Sequence, residues 1–350
     1  MNTPNLAGDI GQEAQGQNWT VEKVPQSTIL VADDNEANRE LLQEILELEG
    51  YRVICAEDGA AALEQFNLQK PDLVLLDVIM PHLSGFEVCR KIKHEPDTCL
   101  VPVVLLTGLS ATEDRVHGIE AGADDFLTRP VERVQILARL RSLLKLKART
   151  DELERAESVL FALALSIEAK DAYTEGHCER LSDYSVLLGQ RLGLSEEYLN
   201  ALRRAGVVHD IGKVAVPDSI LLKPARLTED EWKIMREHPI VGERICSPLK
   251  SFRLVLPVIR HHHEKFDGSG YPDHLKADQI PLAARVLQTV DVYDALTTAR
   301  PYKRAMTSQE ALQMMTEEVQ KGWWDPDIFH EFQQLVETSA EFNGHSAAAH

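Results

Sequence analysis

The spacing of apolar and polar positions changes near the middle of the chain. In the first half, short unbroken apolar runs alternate with amphipathic stretches. Ile29-Leu30-Val31-Ala32 reads as a buried strand, and Asn35 to Glu49 as a helix closed by Gly50. Further strands are predicted at Arg52–Ala56, Leu73–Leu76 and Val103–Leu106, with a short one at Asp125–Leu127. The helix after Ser110 opens with the capping box Ser110-x-x-Glu113. Continuous apolar strands between helices predict a doubly wound, five-stranded parallel sheet covered on both faces.

From Val134 to Ala169 there is neither Pro nor Gly, which predicts a long helix. Leu146, Leu153 and Leu160 fall seven apart along it, as in a seam between two chains. Thr150 and Glu157 at the intervening positions make that seam weak, and a helix packed on its own domain fits the same pattern. Beyond Ser158 the strand signal stops. Helices are predicted from Ser195 to Gly212, from the capping box Thr228-x-x-Glu231 to His238-Pro239, from Leu254 to Glu264 and from Ala283 to Thr298. The expected layout is a flexible tail (1–26), an α/β domain (27–147), a helical linker (148–165), an all-α bundle (155–340) and a second tail (341–350).

A formal charge of −19 disfavours nucleic acid or an anionic membrane surface as a partner, since both require basic patches. No apolar run is long enough to span a bilayer and no signal peptide is evident, so a soluble cytoplasmic protein is expected. The five scattered cysteines form no Cys-x-x-Cys pair and read as reduced, buried thiols. Trp232, Trp323 and Trp324 read as core or interface residues.

The chemistry concentrates at His261-His-His-Glu-Lys-Phe-Asp-Gly-Ser-Gly-Tyr-Pro272. Adjacent imidazoles can ligate one cation or two, but the run alone also fits a polar helix end before a turn. His209-Asp210 ends an apolar helical stripe. A lone histidine there would suit a core, whereas a neighbouring buried carboxylate calls for a cation. Lys213, one turn on, could reach an anionic substrate. His177, His238, His262, His263 and Asp291 complete a His/carboxylate set fitting Fe, Mn or Zn. In the first half, Asp33, Asp34 and Asp77 follow strands at the carboxyl edge of the sheet, where sites of such folds lie. Three converging carboxylates suit Mg²⁺.

Two resemblances follow from these strings. Val31-Ala-Asp-Asp34, Leu75-Leu-Asp-Val-Ile-Met-Pro81, Thr107-Gly108 and Asp124-Asp-Phe-Leu-Thr-Arg-Pro130 resemble a response-regulator receiver domain, whose sheet is flavodoxin-like. The resemblance implies Asp77 as phosphoacceptor, Mg²⁺ on Asp33, Asp34 and Asp77, Thr107 and Phe126 as a switch pair, and a sensor histidine kinase as partner. Arg129 stands where the family has Lys, a substitution that is not neutral at a phosphoryl oxygen. The second half is similar to an HD-GYP domain, the output module that hydrolyses cyclic di-GMP. The matching strings are His209-Asp-Ile-Gly-Lys213, Leu222-Lys-Pro224, His238-Pro239, His262-His-Glu264, Asp267-Gly-Ser-Gly-Tyr-Pro272, Asp291-x-x-Asp294-Ala-Leu-Thr297 and Arg300-Pro-Tyr-Lys303.

By position, that family implies His177, His209, Asp210, His238, His262, His263 and Asp291 as metal ligands, with Asp210 bridging. His209, Asp210 and Lys213 would form the catalytic centre. Lys213, Gly270, Tyr271, Pro272, Asp294, Arg300 and Lys303 would bind substrate. Some members place a third ion on a Glu four residues before the first histidine. Tyr173 occupies that position and Glu175 is misplaced for it, so two metals are expected. The Gly usual after the Gly-Tyr-Pro turn is also absent from Asp273-His-Leu-Lys-Ala277. The implied reaction is hydrolysis of cyclic di-GMP to pGpG or GMP in a homodimer. A silent cyclic di-GMP sensor or docking module, and an HD-type hydrolase of another nucleotide, are the competing readings; binding without turnover and a substrate panel separate them.

Overall fold

A computed structural model describes residues 27–108, 112–170, 176–299 and 304–339. The chain divides into two compact units, Met1–Leu153 and Glu154–His350.

The first unit holds β1 (Thr28–Ala32), α1 (Glu36–Glu47), β2 (Arg52–Ala56), α2 (Gly59–Gln69) and β3 (Leu73–Asp77). It continues through α3 (Gly85–His94), β4 (Val103–Thr107), α4 (Thr112–Glu120) and β5 (Asp125–Thr128). The strands pair in parallel in the order β2-β1-β3-β4-β5. Ile29 to Ala32 and Leu73 to Leu76 are fully buried, because helices cover both faces of the sheet. Parallel pairing brings the chain out of β1, β3, β4 and β5 along one edge, with Ala32 level with Leu76 and Asp77 level with Leu106. Asn35 caps α1 by accepting from the Ala37 amide at 3.0 Å, so the helix starts one residue later than its polar–apolar period suggests. The Ser110 capping box lies outside the described residues.

Helix α5 (Arg133–Glu168) begins in the first unit and ends in the second. The proposed linker segment is therefore part of one 36-residue helix. Leu146 and Leu153 are exposed, while Leu160 packs on the core of the second unit, so the heptad stripe is divided.

Among its described residues the second unit is helical throughout: α6 (His177–Arg191), α7 (Glu196–Val208), α8 (Asp218–Leu221), α9 (Glu229–Met235) and α10 (His238–Cys246), then α11 (Leu256–His261), α12 (Leu282–Thr297), α13 (Ser308–Gln320) and α14 (Pro326–Thr338). Leu181, Leu202, Phe252, Ile259, Val290 and Phe332 are buried in its core. Two helix predictions are corrected. The segment predicted to run to Gly212 stops at Val208 and passes into a 3-10 turn (Ile211–Ala215), and the one starting at Thr228 stops at Met235. Both breaks place a histidine just past a helix end. Cys89, Cys178 and Cys246 are buried, but Cys55 is exposed and Cys99 half-buried, contrary to the expectation for all five.

Candidate active site

The last carbonyls of a helix have no amide partner within it. His209 follows α7, His262 follows α11, and His238 lies three residues beyond the end of α9. Each pairs its Nδ1 with a carbonyl three residues back: His209 with Gly206 at 3.1 Å, His238 with Met235 at 2.8 Å and His262 with Ile259 at 2.7 Å. A carbonyl only accepts, so Nδ1 carries the proton and Nε2 is left as a lone pair facing inward. His177, first residue of α6, places Nδ1 2.7 Å from Asp294 Oδ2 and Nε2 3.6 Å from Asp291 Oδ1. Helix-end carbonyls thus orient three of the rings, and the two carboxylates of α12 orient His177.

These side chains gather into two groups, Asp210 with His238, His262 and His263, and His177 with His209 and Asp291; within each, ligand atoms lie within 4.8 Å of one another. Asp210 stands between the groups. Its Oδ2 is 3.3 Å from His209 Nε2, while its Oδ1 is 3.1 Å from His238 Nε2 and 3.8 Å from His262 Nε2. The two lone pairs on His238 Nε2 and His262 Nε2 face each other across 3.3 Å. His209 Nε2 and Asp210 Oδ1 are buried with no hydrogen-bond partner. Acceptors converging on acceptors in a buried space require a positive charge between them. Divalent cations fit this donor set.

Electrostatics agree with the geometry. Burial disfavours charge on Asp210, yet the Lys213 ammonium, 2.5 Å away, holds its carboxyl well below the usual carboxylate range. Burial lowers His262 to about 4 and His263 well below the ordinary imidazole value, with neighbouring imidazoles adding to the effect. Both rings are therefore neutral, the form that ligates metal. Burial also opposes charge on His177, but Asp294 and Asp291 outweigh it and raise its pKa.

Asp294, expected at the substrate, is buried and placed behind His177. Arg180 binds its other oxygen through Nε at 2.6 Å, so Asp294 is neutralised from one side and orients His177 from the other. Its spacing from Asp291, one turn along α12, was the available signal. Glu264, completely buried, was also missed as a functional residue. Its carboxylate accepts from the amides of Asp273 at 2.6 Å and Leu275 at 3.1 Å, pinning the loop after Tyr271-Pro272. A side chain at Gly270 would strike the Glu264 and Lys265 backbone, which explains the glycine there. Tyr271 lies on His263 with ring centroids 4.8 Å apart. In the loop that lacks its usual Gly, His274 and Ala277 adopt positive φ, +56° and +47°. A further group, His261, Glu264 and Asp273, already has a cation, since Arg260 pairs with Asp273 at 2.6 Å. Arg300, Lys303, Tyr173 and Glu175 lie outside the described residues.

In the first unit Asp33, Asp34 and Asp77 bring their oxygens within 4.8 Å of one another at the carboxyl edge of the sheet. Asp33 is fully buried and accepts from the Asn35 amide at 2.9 Å. Arg129 pairs with Asp33 and lies 3.5 Å from Asp77. Burial raises the pKa of Asp77, partly offset by Arg129. Gly85 passes so close to the Asp77 carbonyl that no side chain fits there. Thr107 is buried at the end of β4, and Phe126 is half-buried against Gly118 and Leu105.

Fold and site together define a doubly wound receiver unit followed by a helical unit built on a His/Asp cluster. Family models for a response regulator receiver domain and an HD domain match residues 29–141 and 162–328. The chain belongs to the family of response regulators that join these two domains. It is 38% identical to a probable cyclic di-GMP phosphodiesterase of Vibrio cholerae serotype O1, across 83% of this chain and 74% of that protein. It is 35% identical to the cyclic di-GMP phosphodiesterase response regulator RpfG of Xanthomonas campestris pv. campestris, across 88% and 87%. A cyclic di-GMP phosphodiesterase of Thermotoga maritima is 34% identical across 88% and 90%. The HD domain implies a divalent metal.

Proposed function

We propose that the protein hydrolyses a 3′,5′-phosphodiester bond of cyclic di-GMP, giving linear pGpG, with regulation through Asp77. The convergence of His177, His209, Asp210, His238, His262, His263 and Asp291 around unsatisfied buried acceptors carries this reading, in a chain whose relatives bear that activity in their names. These seven would hold two transition-metal ions, Fe or Mn before Zn, given the mixed imidazole and carboxylate donors. When bound, such a pair supplies an activated water and positive charge for the phosphate oxygens. The chain's own residues do the rest. Nδ1 bonds keep the imidazoles aimed, Asp294 steadies His177, and Lys213 beside Asp210 places an ammonium where phosphate charge builds. Tyr271, stacked on His263 and held by the Glu264-pinned loop, forms a wall for the nucleotide.

For the receiver we propose Mg²⁺ on Asp33, Asp34 and Asp77, phosphorylation of Asp77 by a sensor histidine kinase, and switching through Thr107 and Phe126. Exposed Leu146 and Leu153 on α5 support a homodimer seam. No described helix is long and apolar enough to cross a membrane, in keeping with a cytoplasmic setting. The full chain, loaded with Mn²⁺ or Fe²⁺ and incubated with cyclic di-GMP, is expected to release pGpG, followed by chromatography. Tight binding with no product under either metal would make it a sensor; neither binding nor product would remove cyclic di-GMP from consideration.

A further inference from the structure

A row of stacked groups leads from the cluster to the surface. His262 and His263 have ring centroids 4.1 Å apart, and His263 and Tyr271 4.8 Å apart. The Arg236 guanidinium lies 5.6 Å from the Tyr271 ring centroid and 5.8 Å from that of Trp232. Exposure rises along the row, from 1% at His262 to 43% at Trp232. Trp232, expected in a core or interface, lies outside the core, exposed on α9 one turn before Arg236. Among the described residues no carboxylate lies within ion-pair distance of Arg236, although Glu229, Asp230, Glu231 and Glu237 are all close in sequence. Its charge is held by aromatic faces alone, which leaves the guanidinium edge available.

We propose that Arg236, with Trp232 beside it, is the guanine-selecting element of the site. The proposal rests on the cyclic dinucleotide reading above and adds the base-recognising residue to it. A guanidinium fork matches the O6 and N7 acceptors of guanine, whereas adenine offers a donor at the position of O6. Tyr271 links the two functions: it touches the phosphate-side histidine His263 on one hand and Arg236 on the other. A nucleoside whose phosphate sits at the cluster thus has a cation and an exposed indole ring at its base end. Trp232 supplies the stacking face, a contact that by itself tolerates any base, so selection falls to Arg236.

The test compares cyclic di-GMP with cyclic di-AMP on the metal-loaded full chain, wild type against Arg236→Gln, Arg236→Lys and Trp232→Leu. Arg236→Gln is expected to raise KM for cyclic di-GMP about 10- to 100-fold, the worth of a bidentate arginine–guanine pair, with little change in kcat. The preference over cyclic di-AMP should collapse. Arg236→Lys, whose ammonium can still donate to O6 and N7 but without the fixed fork, should keep a reduced preference for cyclic di-GMP. Trp232→Leu should weaken both nucleotides alike. An equal loss on both nucleotides in Arg236→Gln, a fall in kcat with KM unchanged, or a fall in bound metal would make Arg236 structural and overturn the assignment. If the wild type turns over neither nucleotide, the functional reading fails separately, and the same variants compared by equilibrium binding of the two nucleotides still decide whether Arg236 reads guanine.

Discussion

The two acidic sites of this protein manage their charge in opposite ways. At the receiver edge, three carboxylates meet a guanidinium supplied by the chain: Arg129 pairs with Asp33 and approaches Asp77. In the helical unit the balance is left open. Lys213 covers one oxygen of Asp210, while Asp210 Oδ1, His209 Nε2 and the facing His238 and His262 nitrogens converge without a donor. A pocket that carries its own cation folds complete and can exchange that cation for another. A pocket lined by orphaned acceptors is finished only when metal enters. The first arrangement suits a switch and the second a resident metal centre.

Metal removal should break the comparison most strongly. Chelation is expected to abolish cyclic di-GMP hydrolysis, and Asp210→Ala, which removes the residue between both ligand groups, should lower it at least about 10³-fold. Calorimetry gives a second readout. Adding Mn²⁺ at a hundred times its dissociation constant should stabilise the helical unit by about 2.7 kcal/mol through mass action. The receiver transition should move less, since Arg129 already neutralises its pocket. Equal shifts in both units would mean that the helical cluster is not the preferential metal site.

Asp294→Asn should sharpen it next. The change keeps the shape but removes the charge behind His177 and leaves Arg180 without its carboxylate. Loss of such an outer partner weakens metal binding about 10- to 100-fold. The effect should fall on the His177, His209 and Asp291 group, so a metal-buffered titration should show one ion retained and one weakened. Simultaneous loss of both ions would mean that Asp294 supports the whole bundle rather than one ligand.

How far each site was legible in the sequence follows from the same contrast. Strand ends in a parallel sheet lie along one edge, so Asp33 and Asp77 could be placed together from apolar runs alone. The helical cluster obeys no such rule. Helix periodicity put His209 inward but could not show that α7 stops at Val208 or that Gly206 offers a carbonyl. Family strings named the candidate ligands, whereas Asp294 and Arg180, which orient His177, and Glu264, which pins the loop after Pro272, act through contacts between distant segments. Asp294 was assigned to substrate because its motif was matched as a string; its buried position on α12 is a matter of packing. Arg236 went unnoticed because one turn of helix separates it from Trp232 and the Tyr271 contact is long-range.

Arg129→Lys should have the smallest effect and test the receiver half of the contrast. The Arg129 guanidinium meets both carboxylates through one terminal nitrogen, Nη2, which is hydrogen-bonded to Asp33 and lies 3.5 Å from Asp77. A lysine ammonium is a compact charge that is more strongly hydrated and better able to retreat from an entering cation. Mg²⁺ binding in the wild type must displace the guanidinium from Asp33; in the variant it displaces a weaker partner. The variant should therefore bind Mg²⁺ roughly tenfold more tightly, the equivalent of about one charge-assisted hydrogen bond. Titration of the full chain with Mg²⁺, followed by receiver chemical shifts, measures this directly. Equal affinities would show that Arg129 does not compete with Mg²⁺ at Asp33 and Asp77, and the two pockets would then differ in donor type alone.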